Sequence, residues 1–172
     1  FSRFKILIEK ENKIPKSTLV GILILGQWIW VFNLGDSRAF LVKDGQISQV
    51  SVDHVGTVAH EITQAFGEPK IVPAIQVYNW AFNDHAATQK SFQSKYSFLI
   101  CSDGLTDKVT PPEISTILSD DSEKKSMQEK TEKLYELTMS RNINDNVSII
   151  AVDLAGYLKN ITPIQILKLS FD

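Results

Sequence analysis

Short apolar runs separated by turn-forming residues carry the earlier part of this chain, and helical periodicity enters only later. Two such runs, Ser17–Leu25 and Trp28–Leu34, flank Gly26-Gln27. β-Branched and aromatic residues dominate both, as suits side chains packed on a pleated surface. They predict two buried strands joined by a tight turn. "SRAFLV" (Ser37 to Val42) continues as a strand, "KDGQ" supplies an Asp-Gly hairpin turn, and "ISQVS" returns. The segment from Asp53 to Lys95 is less regular, but "PAIQVYNWAF" within it reads as a strand. Further strands are expected at Tyr96–Ser102 and Asn146–Leu154, and a charged, mildly apolar helix over residues 1–16 that ends near Pro15.

The spacing changes after residue 109. "TPPEISTIL" has Thr110 placed as N-cap, prolines in the first turn and Glu113 at the capping-box position. "SEKKSMQEKTEKLYELTMSR" predicts a second helix, starting at Ser122. Met127, Leu134, Leu137 and Thr138 line one face of it, with Lys and Glu on the others. Strands first and helices grouped late predict an α+β fold with two packed sheets.

Composition narrows the classes. The 172 residues suffice for one domain, and 43% hydrophobic with 22% charged residues is ordinary for a globular protein. A net charge of −2 gives no basic balance for nucleic acid. The single cysteine, Cys101, excludes an internal disulfide framework and suits a reducing compartment, so a cytoplasmic location is expected. The apolar stretch Thr18–Leu34 is 17 residues long and interrupted by Gly26-Gln27, which favours two strands over a membrane span. The sequons at Asn146 and Asn160 are discounted, the first because it falls in a predicted strand. The chain has no zinc-ligand spacing, P-loop or G-x-S-x-G, and His54, His60 and His85 show no pairing pattern. Cys101 does not fit a cysteine phosphatase signature, which wants Arg six residues on, where Asp107 stands; it reads as a buried strand residue.

The chemistry lies in aspartates at strand ends. Asp36 follows one apolar strand in "NLGDSR", Asp103 and Asp107 follow another in "FLICSDGLTDKV", and Asp145 precedes a third in "NINDNVSII". Strand ends of one sheet can converge on a single rim. Carboxylates gathered there repel and raise one another's pKa unless cations intervene. Hard oxygen donors suit Mg²⁺ or Mn²⁺, and two such ions a few ångströms apart can activate water and clamp a phosphate. Taken singly, each aspartate is more often a turn former than a ligand; it is their shared context that points to metal.

Those motifs, in this order, resemble a family. "STLVGILI…WVFNLGDSRAFLVKDGQISQVSVDH", "ITQAFG", "FLICSDGLTDKVTPPEI" and "NDNVSIIAVDL" are similar to the metal-dependent Ser/Thr protein phosphatases of type 2C, most of all the compact bacterial-type members. The resemblance runs over most of residues 17–154. It implies a two-sheet antiparallel β-sandwich flanked by helices, with a two-metal centre at one end. By that pattern Asp103 and Asp145 are the catalytic ligands of two core Mg²⁺ or Mn²⁺ ions, and Asp36 and Asp107 serve a third, weaker metal site. Gly35, Ser37, Arg38, Gly104 and Asn146 support the motifs, with Arg38 expected to brace rather than to touch phosphate. The implied reaction is hydrolysis of phosphoserine or phosphothreonine proteins by metal-activated water, with no nucleic acid and no membrane involved. The oligomeric state has no signature.

The chain also departs from the pattern. The opening Asp-Gly-His-Gly or Asp-Gly-Met-Gly motif, whose Asp bridges both core metals, has no counterpart in residues 1–16, and neither does the phosphate-gripping Arg. The segment between Asp53-His54 and "ITQAFG" is short, Pro73–Tyr96 is long, and Asn142-Ile143 stands where Gly-Ser is common. The expectation is one incomplete phosphatase-like domain over 1–172, with its core at 17–154 and a C-terminal extension at 155–172. Two functions stay open: an active phosphatase, or a catalytically inactive relative kept as a structural or protein-binding module. Retention of all four acids favours the first, because a dead site has no reason to keep their repulsion.

Overall fold

The computed structural model describes residues 15–25, 28–57, 61–68, 70–79, 96–122, 125–142 and 144–154. The expected helix over 1–16 falls outside them up to residue 14, as do the end of the "PAIQVYNWAF" strand and the extension from 155. Among the described residues seven strands form: β1 (Leu19–Leu25), β2 (Trp28–Leu34), β3 (Arg38–Lys43), β4 (Gln46–Gln49), β5 (Ala74–Asn79), β6 (Tyr96–Cys101) and β7 (Ile149–Asp153). They make two antiparallel sheets, a three-stranded one in the order β1-β2-β5 and a four-stranded one in the order β4-β3-β6-β7.

Local chemistry sets the connections. β1 and β2 pair antiparallel with Leu25 opposite Trp28, as expected, but β1 is not buried, because it is an edge strand covered on one face; Gly26-Gln27 lies outside the described residues. Asp44 and Gly45 both take positive φ, 48° and 81°, as a two-residue hairpin turn matched to strand twist requires. The returning strand is shorter than "ISQVS", because the N–H groups of Val50 and Ser51 both converge on the Ala39 carbonyl, at 2.8 and 3.3 Å. Two residues opposite one is the arrangement of a bulge, and the ladder ends there. β7 starts at Ile149, three residues later than expected, so Asn146 lies in a loop and not in a strand.

Alternation along the strands builds two cores. Ile29 and Val31 of β2 meet Ala39 of β3 and Tyr96 and Phe98 of β6 between the sheets. The intervening residues Phe40, Val42, Leu99 and Cys101 point the other way, into a second core with the helices. Those helices are α1 (Asp103–Thr106), a single turn, α2 (Pro111–Ser119) and α3 (Met127–Met139). Ile114, Ile117 and Leu118 of α2 and Leu134 of α3 seat them on the outer face of the four-stranded sheet.

The capping box of α2 forms as expected, with Thr110 N–H donating to Glu113 Oε2 at 2.9 Å. The next helix begins at Met127 and not at Ser122. Its cap is Ser126, whose Oγ accepts from Glu129 N–H at 3.2 Å while its own N–H donates to Glu129 Oε2 at 2.7 Å. Ser126 has the acid three residues on that a capping box needs; Ser122 has Lys125 there. Lys130 is a second correction. Read as solvent-facing, it is 6% exposed; its Nζ donates to the Leu118 carbonyl at 2.8 Å and pairs with Asp121 at 3.2 Å, tying α3 to the end of α2. The free carbonyls of a helix C-terminus attract such a cation. Among the described residues no helix is long and apolar enough to cross a membrane.

Candidate functional site

The four-stranded sheet brings one end of each of three strands to the same edge. Arg38 at the start of β3 pairs with Cys101 at the end of β6, and Cys101 pairs with Ile149 at the start of β7. Asp36 enters β3, Asp103 and Asp107 follow β6, and Asp145 leads into β7, so the antiparallel register delivers all four acids to one rim.

The Asp36 turn is held from several sides. Gly35 has φ 107°, and a Cβ there would stand 2.4 Å from Thr18 Cγ2, so conformation and space both require glycine. The Gly35 carbonyl accepts from His54 N–H at 2.9 Å and from Asn33 Nδ2 at 3.0 Å, while Gly35 N–H donates to His54 Nδ1 at 3.3 Å. Asn33 is 1% exposed and also donates to the Val52 carbonyl at 2.7 Å. The hydroxyls of Thr18 and Ser37 share a hydrogen bond of 2.8 Å. Arg38 points to Asp53, with Nε and Nη2 each 2.7 Å from Oδ2, and Gln49 Nε2 donates to Oδ1 at 2.7 Å.

The other two motifs interlock. Ser102 N–H donates to the Ser148 carbonyl at 3.1 Å, and Ser102 Oγ accepts from Ser148 N–H at 3.0 Å and donates to the Asn146 carbonyl at 3.2 Å. A Cβ on Gly104 would fall 2.5 Å from that same carbonyl, so only glycine lets the loop from Asp145 to Ser148 cross the start of α1. Each acid is also fixed locally: Asp103 Oδ1 accepts from Gly104 N–H at 2.9 Å, and Asp145 Oδ1 from Asn146 N–H at 2.7 Å. Asp107 closes α1, its N–H donating to the Asp103 carbonyl at 2.9 Å.

The electrostatics reflect this gathering. Burial pushes the Asp103 carboxyl above the usual range, and the charges of Asp36, Asp145 and Asp107 push it the same way against the Gly104 N–H. The donor chemistry fits a hard divalent cation, which would relieve that repulsion. As placed, the acids share a field but not a closed ligand sphere: among the described residues no three His, Cys, Asp or Glu groups stand close enough to hold one ion. Cys101 is buried, its thiol pushed up to about 12 chiefly by desolvation, which leaves it no thiolate for nucleophilic chemistry.

Sequence reasoning missed the supports. His54 had no pairing pattern, and Asp53, Gln49 and Asn33 carried no role. Their partners stand up to 19 residues away in sequence, His54 reaching back to Gly35, Asn33 forward to Val52 and Asp53 back to Arg38, and no local spacing marks such pairs.

The comparisons agree with one another. Residues 7–138 match the Protein phosphatase 2C family profile. The serine/threonine protein phosphatase PstP of Mycobacterium tuberculosis is 28% identical over 147 residues, which are 82% of this chain and 28% of that protein. The serine/threonine phosphatase stp of Listeria monocytogenes is 26% identical over 148 residues, 80% of this chain and 56% of that protein. The chain thus spans between about a quarter and just over half of these curated relatives. Among solved structures, the S. agalactiae serine/threonine phosphatase superposes with a TM-score of 0.69 at 21% identity, covering 88% of this chain and 64% of that one. At that identity the likeness speaks for the fold.

Proposed function

The chain belongs to the protein phosphatase 2C family, and on that premise we propose that it carries much of the active site of a metal-dependent protein serine/threonine phosphatase. The observation that supports this most is the meeting of Asp36, Asp103, Asp107 and Asp145 on one rim, close enough for the other three to raise the Asp103 carboxyl. Nothing is gained by keeping four like charges together unless cations join them.

Asp103 and Asp145 would hold two core Mg²⁺ or Mn²⁺ ions, and Asp36 and Asp107 a third. Bound there, such ions supply the Lewis acidity that turns water into a nucleophile at neutral pH and offsets phosphate charge. The chain's own contribution is placement. The Ser102–Ser148 bonds fix the Asp103 and Asp145 backbones relative to each other, and the Gly35 clamp fixes Asp36. Pre-set carboxylates need no reorganisation as charge develops on the phosphoryl group. The relatives are named serine/threonine phosphatases, which supports phosphoserine and phosphothreonine proteins as the substrate class.

The test is phosphate release from a phosphothreonine peptide by this chain with excess Mn²⁺, beside calorimetric titration with Mn²⁺. Slow, Mn²⁺-dependent release and weak binding are expected, because no Asp-Gly-x-Gly motif is present in the 172 residues. Asp103→Asn is expected to abolish both. Release untouched by chelator or by Asp103→Asn would overturn the reading. Neither binding nor release would leave the inactive, protein-binding module.

A further inference from the structure

We propose that Asp53 is a positioning residue whose task is to hold the Arg38 guanidinium away from the acid rim. Arg38 stands two residues after Asp36 and pairs in register with Cys101, two residues before Asp103. A long cation therefore springs from the backbone between two of the four carboxylates. A guanidinium takes carboxylates bidentately and is always charged. Left free, it would settle on the rim and compete with a divalent ion for the same oxygens.

Asp53 prevents this. It engages Nε and Nη2 of Arg38 through Oδ2, both at 2.7 Å, and turns the fork toward itself. Its side chain is 13% exposed and that of Arg38 34%, so the pair is less screened than one on the open surface. Asp53 is itself held on every side. Gln49 takes its second oxygen. The residues before and after it are tied to the Asp36 turn, Val52 through its carbonyl to Asn33 and His54 through its N–H and Nδ1 to Gly35. Residues 52–54 thus form a strap across the turn, with the counter-charge at its centre.

The inference rests on the metal-site reading proposed above, and the experiment separates the two. Mn²⁺ binding is measured by calorimetry on the full chain, as wild type, Asp53→Ala, and Asp53→Ala combined with Arg38→Met. Asp53→Ala is expected to weaken binding by roughly 10–100-fold, the range for residues that orient metal ligands. Adding Arg38→Met is expected to restore most of that loss, because the competing cation is gone. A residue needed only for folding would give a double variant no better than the single one, and that result overturns the inference. So does unchanged binding in Asp53→Ala. If Asp53→Ala fails to fold, Asp53→Asn with and without Arg38→Met makes the same comparison in a side chain of equal size. Absence of binding in the wild type would fell the metal-site reading itself, and the inference with it.

Discussion

The central strands β3 and β6 of the four-stranded sheet are covered on both faces, whereas the three-stranded sheet, among the described residues, is covered on one. β6 reads Tyr-Ser-Phe-Leu-Ile-Cys with Tyr96, Ser97, Phe98, Leu99 and Cys101 all buried, between the other sheet on one side and α2 and α3 on the other. β2 reads Trp-Ile-Trp-Val-Phe-Asn-Leu, just as apolar, yet Ile29 and Val31 are buried while Trp28 and Trp30 are 37% and 40% exposed. Leu23, Trp30 and Val77 lie in one row across β1, β2 and β5, and all are exposed. Hydropathy gives the two strands the same signal, and only the layer laid over each distinguishes them. The acids gather beside those covered strands: Asp36 leads into β3, Asp103 and Asp107 follow β6, and Asp145 lies in the loop ahead of β7. A rim of repelling carboxylates needs firm backing, and the buried β3–β6 pair supplies it.

Substitutions on the two outer faces sharpen this contrast. The largest effect is expected for Leu134→Ala, which empties a fully buried position between α3 and the four-stranded sheet. Urea denaturation should show a loss of about 2–5 kcal/mol; less than about 1 kcal/mol would mean that the helix layer is not firmly seated.

A smaller effect, one that disappears in acid, comes from the helix layer's ion pair. Arg141 Nη2 bonds Glu113 Oε1 at 2.5 Å, and Arg141 Nη1 also donates to the Lys108 carbonyl. The bond from Arg141, followed by those from Thr110, lowers the Glu113 carboxyl from 4.5 to about 2. The folded value lies below the unfolded one, so the contribution is fully present above about pH 4.5 and is lost as pH falls toward 2. Exposure screens it. Denaturation midpoints of the wild type and Glu113→Gln should therefore differ above pH 4.5 and converge near pH 2. A gap that widens in acid would contradict the assignment.

The smallest effect is expected on the other face. Leu23→Gln replaces a side chain that is 46% exposed and should change stability by no more than about 0.5 kcal/mol. A loss as large as that of Leu134→Ala would show that this face too is covered in solution, and the contrast between the sheets would disappear.

Much of the fold was legible because it is encoded over a few residues. The Asp44-Gly45 turn, the Thr110 capping box and the boundaries of β2 and β6 follow from local rules of φ, hydrogen bonding and apolar runs. The second helix was expected from Ser122, but Ser126, with Glu129 three residues on, forms the cap. Lys130 was misread for another reason. Its neighbours in sequence say solvent, but α2 ends with its carbonyls directly beside it. Each aspartate alone is a turn residue; their shared place at strand ends marked them as a set, and the resemblance divided them between metal sites.

By itself the sequence determined most of the strands, the Asp44-Gly45 turn, the Thr110 cap and the family to which the motifs point. Each of these is governed by preferences that act within a few residues. Tertiary structure decided that four acids meet on one rim, that Arg38 turns to Asp53, and that Ser102 locks to the loop ahead of β7. These partners are far apart in sequence: the two bonded pairs span 15 and 46 residues, and the acids run from Asp36 to Asp145. Sheet register chooses them, and register is settled by the burial of whole faces, which no short stretch of chain contains.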